Sequence, residues 1–349
     1  MDGPTFERPR GPIPLGPSAP GERRMLLSVV VPCMNEEEVL RQTHQHLVAV
    51  LEKSPATFEI IYVDDGSTDS TLEVLRELQA SDGRVRVIRF SRNFGHQMAI
   101  TAGLEHASGD AVVIIDADLQ DPPEVILEFV GKWLDGYDVV YGVRTERDGE
   151  SVFKQTSAKV FYRFFSHMSD TQMPLDTGDF RLMDRRVVDA LISMPEQDRF
   201  VRGMVAWLGF RQTEVTFHRL ERAAGETKYP LFKMVRLALN AALGFSDAPL
   251  RLAIWCGLVV SSLALLYGGW VLLLWISNDS SLIAGWSSTI VIVSLLCGMN
   301  MLMTGIVGLY VGRIHAEVKQ RPLYVVQKRL GFERDEAATM RPAIRAVHE

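Results

Sequence analysis

The chain has 349 residues, with 37 Lys and Arg against 43 Asp and Glu, a formal net charge of −6 and 47% hydrophobic residues. This composition excludes a chain that is disordered or collagen-like throughout. The acidic balance argues against a nucleic-acid partner, because neutralising phosphates needs a basic surface. Three widely separated cysteines support neither a disulfide framework nor a CxxC metal site, which indicates a reduced, cytoplasmic setting.

The start of the chain differs in composition from the rest. Residues 1–24 hold six Pro and four Gly and almost no large apolar side chains, so they are predicted to be a disordered tail that cannot bury a core. The apolar run that follows is too short for a signal peptide and leads directly into Pro-Cys-Met-Asn-Glu-Glu-Glu. We therefore expect the globular part, residues 25–230, to stay in the cytoplasm.

An alternating pattern of strands and helices comes next. Apolar runs of strand length occupy residues 26–31, 58–63, 84–90 and 111–115, and helical stretches occupy residues 36–53, 70–80 and 96–107. Helices that connect consecutive strands build a parallel sheet, whose ligand-binding groups lie at the carboxyl ends of the strands. The sequence therefore predicts an α/β domain with its acidic clusters along that edge.

The first acidic cluster is DDGSTDST, residues 64–71, directly after the second predicted strand. Asp, Gly, Ser and Thr favour turns and helix caps, and Ser67, Thr68 and Asp69 are candidates to cap the next helix. Two adjacent carboxylates exceed what a cap needs and could also accept hydrogen bonds from a nucleotide base or ribose. Both interpretations stay open, and both apply to VPCMNEEE after the first strand.

The second acidic cluster is DADLQDPP, residues 116–123, directly after the fourth predicted strand. Asp116 and Asp118 carry carboxylates one residue apart, and Gln120 adds an amide oxygen. Such hard oxygen ligands suit a divalent cation, Mg²⁺ or Mn²⁺, that also binds diphosphate oxygens. The alternative is an Asp-rich turn closed by Pro-Pro, but two unpaired Asp beside a buried strand would repel each other. The pattern favours the metal site.

Two long uncharged runs, residues 252–276 and 282–312, end the apolar part of the chain. Each exceeds the roughly 20 residues that a spanning helix needs, so we predict two transmembrane helices over residues 251–312. Basic residues flank only their outer ends, which places both termini and a tail, residues 313–349, in the cytoplasm. Residues 231–250 are predicted to form amphipathic helices at the membrane surface. Two buried core helices are the alternative.

Seven motifs in this order carry a resemblance. They are VVVPCMNEEEVL, DDGSTDST, FSRNFGHQMAITAGLEHASGD, DADLQDPP, TGDFRLMDRR, RFVRGMVAWLGFRQ and GETKYPLFK, and two spans and EVKQRPLYVV follow them. From about residue 26 to 327 the chain resembles family 2 glycosyltransferases that act on polyprenyl phosphates. It is similar above all to the GtrB-like bactoprenol glucosyl transferases, whose catalytic domain resembles dolichol-phosphate mannose synthases.

The resemblance implies a GT-A fold and a set of site residues. The nucleotide pocket would be lined by Pro32, Glu37, Asp64, Asp65 and Asp116. The metal, Mg²⁺ or Mn²⁺, would be held by Asp116, Asp118 and Gln120. The catalytic residues would be Asp118, Asp179 and Arg181, with Asp179 orienting rather than abstracting a proton. Cations for the lipid phosphate would be Arg144, Lys154, Arg202, Arg222 and Lys228. Arg185 and Arg186 are interpreted as a solvated helix face outside the site.

The resemblance also implies a reaction, the inverting transfer of glucose from UDP-glucose to undecaprenyl phosphate at the cytoplasmic face of the inner membrane. Other UDP-sugars, or GDP-mannose with a dolichol-type lipid, are the alternatives, and similar relatives are tetrameric. Leu309 departs from the pattern, because an acidic residue is expected there, and Thr227 stands where a Ser is expected. The QxxRW motif of processive synthases is absent, which argues against a polymer product.

Two functions of other classes, a carrier and a sensor, are alternatives to this reaction. A lipid-sugar carrier or flippase subunit would need polar groups within its spans, yet all the acidic motifs precede them. A catalytically inactive nucleotide-sugar sensor would be expected to lack a ligand of DADLQ, and none is missing.

Overall fold

The computed structural model describes residues 25–144, 177–218 and 286–332, together with scattered helical positions between 255 and 276. The chain divides into two units. One comprises residues 1–155, 171–227 and 322–349, and the other comprises residues 156–170 and 228–321. The predicted tail over residues 1–24 and the predicted surface helices over residues 231–250 lie outside the described residues.

The first unit contains a single large sheet. Its strands are β1 (Leu26–Cys33), β2 (Thr57–Asp64), β3 (Val85–Phe90), β4 (Ala111–Ile114), β5 (Val139–Arg144), β6 (Thr177–Asp184), β7 (Gln212–Phe217) and β8 (Val326–Leu330). Their order across the sheet is β7-β5-β6-β4-β1-β2-β3-β8. The central pairings β3-β2-β1-β4 are parallel, as predicted, and β6 and β8 run antiparallel to their neighbours.

Six helices of this unit cover the two faces of the sheet. They are α1 (Leu40–Leu51), α2 (Thr71–Ser81), α3 (His96–His106), α4 (Val125–Leu134), α5 (Arg185–Ser193) and α6 (Val201–Trp207). Helices α1, α2 and α4 pack on one face, and α3, α5 and α6 pack on the other. Because both faces are covered, β1 and β2 are buried along nearly their whole length, which explains their continuous apolar sequences.

Strand β8 was not anticipated from the sequence, which predicted only a cytoplasmic tail over residues 313–349. It pairs antiparallel with β3. Just before it, the ring of Tyr324 stacks on Phe90 with the centroids 4.8 Å apart, and its hydroxyl donates to Glu105. A segment from the end of the chain thus completes the β3 edge of the sheet.

The described part of the second unit is helical and apolar. Helix α7 (Trp286–Lys319) contains the stretch Leu295–Lys319, which is long and apolar enough to cross a membrane. A shorter apolar helix covers Gly257–Tyr267. Among the described residues there is therefore one candidate span where the sequence predicts two, and α7 continues past the predicted end at residue 312.

Candidate functional site

The DADLQ turn follows β4 at the carboxyl edge of the parallel strands. Asp116 and Asp118 are partly exposed, whereas Gln120 is buried. Leu119 adopts a left-handed backbone conformation with φ 56°, which is uncommon for a bulky residue. The Gln120 N–H donates to Asp118 Oδ1 at 3.1 Å within this turn. The turn thus has a defined local shape that carries both carboxylates.

Asp179 lies in β6, the strand beside β4, and accepts hydrogen bonds from two helices on the same face. Arg202 of α6 donates from Nε to Oδ1 at 2.8 Å and from Nη2 to Oδ2 at 3.2 Å. At the start of α3, His96 Nε2 and Gln97 Nε2 donate to Oδ2 at 3.1 and 3.2 Å. Since charge-assisted hydrogen bonds are stronger than neutral ones, this buried carboxylate is held in one orientation.

These donors keep Asp179 ionised in spite of its burial. Burial alone would raise the pKa of Asp179, but the hydrogen bonds from His96 and Arg202 outweigh it and hold the pKa well below its ordinary value. Burial likewise opposes protonation of His96, yet the hydrogen bond to Asp179 and the charge of Asp116 raise the His96 pKa. Asp179 is therefore an anion that is paired with the Arg202 guanidinium at neutral pH.

Asp116 is more loosely connected to the same cluster, with its Oδ1 3.7 Å from His96 Nε2. Burial raises the pKa of Asp116 to about 6, and the carboxylates of Asp179, Asp121 and Asp118 add to the rise. Within the described ranges, no three His, Cys, Asp or Glu side chains are grouped closely enough to hold a metal ion.

Arg144 and Arg181, two of the predicted site residues, lie beside this cluster. Arg144 Nη2 donates to both oxygens of Asp121 at 3.2 and 3.3 Å, and the Asp121 side chain is only 1% exposed. Arg181 is buried, and its Nη2 donates to the Gly178 carbonyl at 3.0 Å. Burial lowers the pKa of Arg181 to about 10, so Arg181 is protonated at neutral pH.

The loops after β1 and β2 interlock through side chains. Asn35, with φ 57°, accepts at its Oδ1 from the N–H of Thr68 at 2.9 Å, and its own N–H donates to Ser67 Oγ at 3.0 Å. The Ser70 N–H donates to Glu37 Oε2 at 2.8 Å. The two segments predicted to bind the nucleotide thus form one rigid corner of the sheet edge.

Asp64 and Asp65, at the end of β2, are engaged by their own chain. Asp64 Oδ1 accepts from the Ser67 N–H at 2.8 Å, while its Oδ2 has no hydrogen-bond partner among the described residues. Asp65 accepts from the N–H groups of Phe94 at 2.7 Å and Gly95 at 2.9 Å. Burial raises the pKa of Asp65 in spite of these bonds. Asp65 therefore fixes the loop that leads into α3.

Gly66 lets this loop approach β2 closely. Its φ of 73° favours glycine, and a Cβ there would lie 2.4 Å from the carbonyl carbon of Arg92.

The N-cap of α2 is not one of the predicted residues Ser67, Thr68 and Asp69. Ser70 is the N-cap of α2 without a side-chain bond, and Asp69 Oδ1 accepts from the Thr71 N–H at 3.0 Å.

The structure groups the predicted site residues in two neighbouring sets. Around the DADLQ turn and β6 lie Asp116, Asp118, Gln120, Asp179, Arg181, Arg144 and Arg202. In β1, β2 and the loops that follow them lie Pro32, Glu37, Asp64 and Asp65. Lys154, Arg222 and Lys228 lie outside the described residues.

Sequence reasoning missed His96 and Gln97, which donate to Asp179. The available signal was their place in the motif FSRNFGHQMAITAGLEHASGD, which carries the family resemblance. In the structure Gly95, with φ 105°, directly precedes α3. Arg185 and Arg186 are not a simple solvated face. Arg185 Nε donates to the Gly109 carbonyl at 2.8 Å, and Arg186 also makes ion pairs with neighbouring carboxylates.

Comparisons with known proteins agree with this geometry. Residues 28–192 match the family Glycosyl transferase family 2. The uncharacterized glycosyltransferase YkcC of Bacillus subtilis (strain 168) is 52% identical over 311 residues, covering 89% of this chain and 96% of YkcC. The prophage bactoprenol glucosyl transferase homolog of Escherichia coli (strain K12) is 38% identical over 304 residues, covering 87% of this chain and 99% of that protein.

Among solved structures, glucosyl-3-phosphoglycerate synthase from Mycobacterium tuberculosis, in complex with Mn²⁺, UDP and phosphoglyceric acid, is 18% identical. The match covers 63% of this chain and 76% of that chain, with a TM-score of 0.44, which is too low to assign a function.

The family match and the relatives cover the same part of the chain as the site. Residues 28–192 include both acidic clusters and Asp179, and the two relatives extend the similarity over 87% or more of the chain. The mostly parallel α/β sheet agrees with the GT-A fold that the resemblance implied. The chain is therefore a glycosyltransferase that belongs to glycosyl transferase family 2.

Proposed function

We propose that the chain is a membrane-anchored, metal-dependent transferase that moves a sugar from a nucleotide diphosphate to a polyprenyl phosphate. Glucose from UDP-glucose and undecaprenyl phosphate are the leading donor and acceptor. The name of the bactoprenol glucosyl transferase homolog supports this pair. The observation that carries the proposal is the meeting of two motifs, since His96 Nε2 lies 3.1 Å from Asp179 and 3.7 Å from Asp116.

The donor set of the DADLQ turn fits Mg²⁺ or Mn²⁺. Asp116 and Asp118 offer hard carboxylate oxygens and Gln120 an amide oxygen, and Mg²⁺ sites in proteins often use one or two carboxylates plus substrate phosphates and water. The nearby Asp121 forms an ion pair with Arg144. Asp116 lies 3.7 Å from His96, which is a weaker contact, so its carboxylate is suited to bind a cation. When bound, the metal ion would stabilise the charge of the leaving diphosphate.

The nucleotide would occupy the corner formed by the loops after β1 and β2. Pro32, Glu37, Asp64, Asp65 and Asp116 are the residues proposed to line this pocket. The interlocked Asn35, Ser67 and Thr68 support this assignment, because a rigid corner needs little reordering when a ligand binds. Asp65 would contribute by holding the loop before α3, since its oxygens already accept two backbone hydrogen bonds.

The acceptor phosphate is ionised near neutral pH, so its attack on the anomeric carbon needs little help from a general base. We assign Asp179 to orienting and electrostatic roles, with Arg181 supporting its strand. Attack opposite the leaving group would convert an α-linked donor into a β-linked lipid phosphate. Arg144, Lys154, Arg202, Arg222 and Lys228 are the proposed cations for the lipid phosphate. The pairing of Arg202 with Asp179 places the Arg202 guanidinium beside the carboxylate that is proposed to lie near the reacting centre.

The proposed membrane anchor consists of two spans, residues 252–276 and 282–312, with the catalytic domain and both termini in the cytoplasm. The length and apolar composition of α7 support one of these spans. The distribution of basic residues in the sequence supports the orientation. A homotetramer follows from the family resemblance. A carrier or flippase subunit is disfavoured, because the chain belongs to an enzyme family and its acidic clusters lie in the sheet domain.

The test is transfer of radiolabel by the purified full-length protein in detergent. The protein is incubated with undecaprenyl phosphate, Mg²⁺ or Mn²⁺, and one labelled donor at a time from a panel of UDP-glucose, other UDP-sugars and GDP-mannose. Label from UDP-glucose should enter the organic phase, and it should not do so when EDTA is present. Preferential use of another donor would correct the sugar, and no transfer from any donor would overturn the acceptor assignment.

A further inference from the structure

Gln97 joins three parts of the site through one side-chain amide. Its Nε2 donates to Asp179 Oδ2 at 3.2 Å, and its Oε1 accepts from the Val201 N–H at 3.0 Å. The chemistry fixes the orientation of the amide, because a carboxylate must face the NH₂ group and a backbone N–H must face the oxygen. The first turn of α3 is thereby tied to both β6 and α6.

The bond to Val201 occupies a position that needs an outside partner. Val201 is the first residue of α6, and the first N–H groups of a helix have no acceptor within the helix. The N-cap residue Phe200 makes no side-chain capping bond. Gln97 supplies this acceptor from another helix, so the start of α6 is placed by α3.

Arg202 directly follows Val201 and donates twice to the same carboxylate that Gln97 contacts. Asp179, Gln97, Val201 and Arg202 thus form a closed ring of contacts. Two independent links, one through the backbone of α6 and one through the guanidinium, then fix Arg202 relative to Asp179. Without Gln97 only the guanidinium link would remain from this ring.

We propose that Gln97 is a positioning residue that sets the Arg202 guanidinium for the acceptor phosphate. The proposal rests on the proposed function, in which Arg202 binds that phosphate. Gln97 itself touches neither substrate, so its effect should appear in use of the lipid and not in binding of the nucleotide. The loops after β1 and β2 keep their own hydrogen bonds, none of which involves the Gln97 side chain among the described contacts.

The experiment uses the full-length protein in detergent with UDP-glucose, undecaprenyl phosphate and Mn²⁺. Gln97→Met keeps the length of the side chain and removes both hydrogen bonds, and it should lower kcat/KM for the lipid about 10-fold through a higher KM. The Kd for UDP, measured by calorimetry, should stay within about twofold of wild type, since the change leaves the nucleotide corner intact. Gln45→Met, on the exposed surface of α1, is the matched control and should match wild type.

A double-mutant cycle with Arg202→Lys tests whether Gln97 acts through Arg202. In the Arg202→Lys background, Gln97→Met should cause little further loss, because the geometry it maintains is already gone. The positioning role would be overturned if the losses in kcat/KM of the two single variants multiply in the double variant. It would also be overturned if Gln97→Met lowers the affinity for UDP as much as it lowers kcat/KM for the lipid. An unchanged lipid KM in Arg202→Lys alone would instead remove Arg202 from acceptor binding and overturn that part of the proposed function along with this role. Should Gln97→Met fail to fold, Gln97→Asn, too short to make both contacts, replaces it.

Discussion

The pair Asp64–Asp65 after β2 and the pair Asp116–Asp118 after β4 stand on the same edge of one sheet, and their partners differ. Asp65 accepts from two backbone N–H groups, and Asp64 accepts from the Ser67 N–H. Asp116 has instead a 3.7 Å contact with His96. Burial raises the pKa of Asp116, as it does that of Asp65, and at Asp116 three neighbouring carboxylates add to the rise. Asp65 is thus engaged by backbone donors and Asp64 by one donor, whereas Asp116 lies among carboxylates.

The difference teaches that two Asp after a strand do not by themselves mark a binding site. Backbone N–H donors stabilise a carboxylate without any ligand, and crowded carboxylates do the reverse. Substitutions separate these cases. A change at Asp65 should affect folding first, because its oxygens hold the loop before α3, whereas a change in the second pair should mainly affect activity.

Asp118→Asn should have the largest effect. Removing one metal-ligand charge at the leaving diphosphate should lower kcat at least about 100-fold, comparable to the loss of a key electrostatic group in other enzymes. The thermal midpoint should match that of the exposed control Asp135→Asn. Transfer at the wild-type rate by Asp118→Asn would remove Asp118 from the proposed metal site.

Gly66→Ala should have the largest effect on stability. The left-handed backbone and the 2.4 Å approach to Arg92 together should cost about 2–4 kcal/mol of unfolding free energy. Thermal unfolding followed by circular dichroism measures the loss. Gly131→Ala is the control, because a Cβ at Gly131 meets no atom within 4 Å and should not destabilise the protein.

Asp65→Asn should destabilise the protein by about 1–3 kcal/mol, because one of two backbone donors would then face an NH₂ group. The residual folded protein should keep much of its transfer activity below the melting transition. Thermal unfolding and the transfer assay are compared with Asp135→Asn. A variant with unchanged stability and lost UDP binding would make Asp65 a direct nucleotide ligand.

Asp69 should produce the smallest effect, one that depends on pH. Burial would raise its pKa, but hydrogen bonds from Thr71 and Glu37 outweigh it and lower the pKa below its ordinary value of 3.8. A depressed pKa contributes stability above the unfolded value, and that stability is lost as the pH falls through the folded pKa. The melting temperature of wild type should therefore fall more steeply below pH 4 than that of Asp69→Asn.

Much of the central sheet could be predicted, because β1, β2, β3 and β4 are apolar runs connected by helical stretches, and acidic turns follow β1, β2 and β4. The sequence shows the motif TGDFRL but does not identify it as strand β6. This strand lies antiparallel between β4 and β5, and the alternating order of strands and helices that predicts the parallel strands does not extend to it. The role of Gln97 could not be predicted either, because its two partners lie 82 and 104 residues away in the sequence. The hydrogen-bond partners of the two Asp pairs could not be predicted for the same reason, since Asp65 accepts from Phe94 and Gly95 across 29 and 30 residues.

Strand β8 has a consequence for how the protein is made. Its residues are translated after α7, so the sheet stays one strand short until α7 has been synthesised. A truncated form ending at residue 250 would leave the β3 edge and the ring of Phe90 open to other chains, and exposed strand edges of this kind promote aggregation. Attempts to produce the sheet-bearing unit without the apolar helices should therefore append residues 322–332 by a linker.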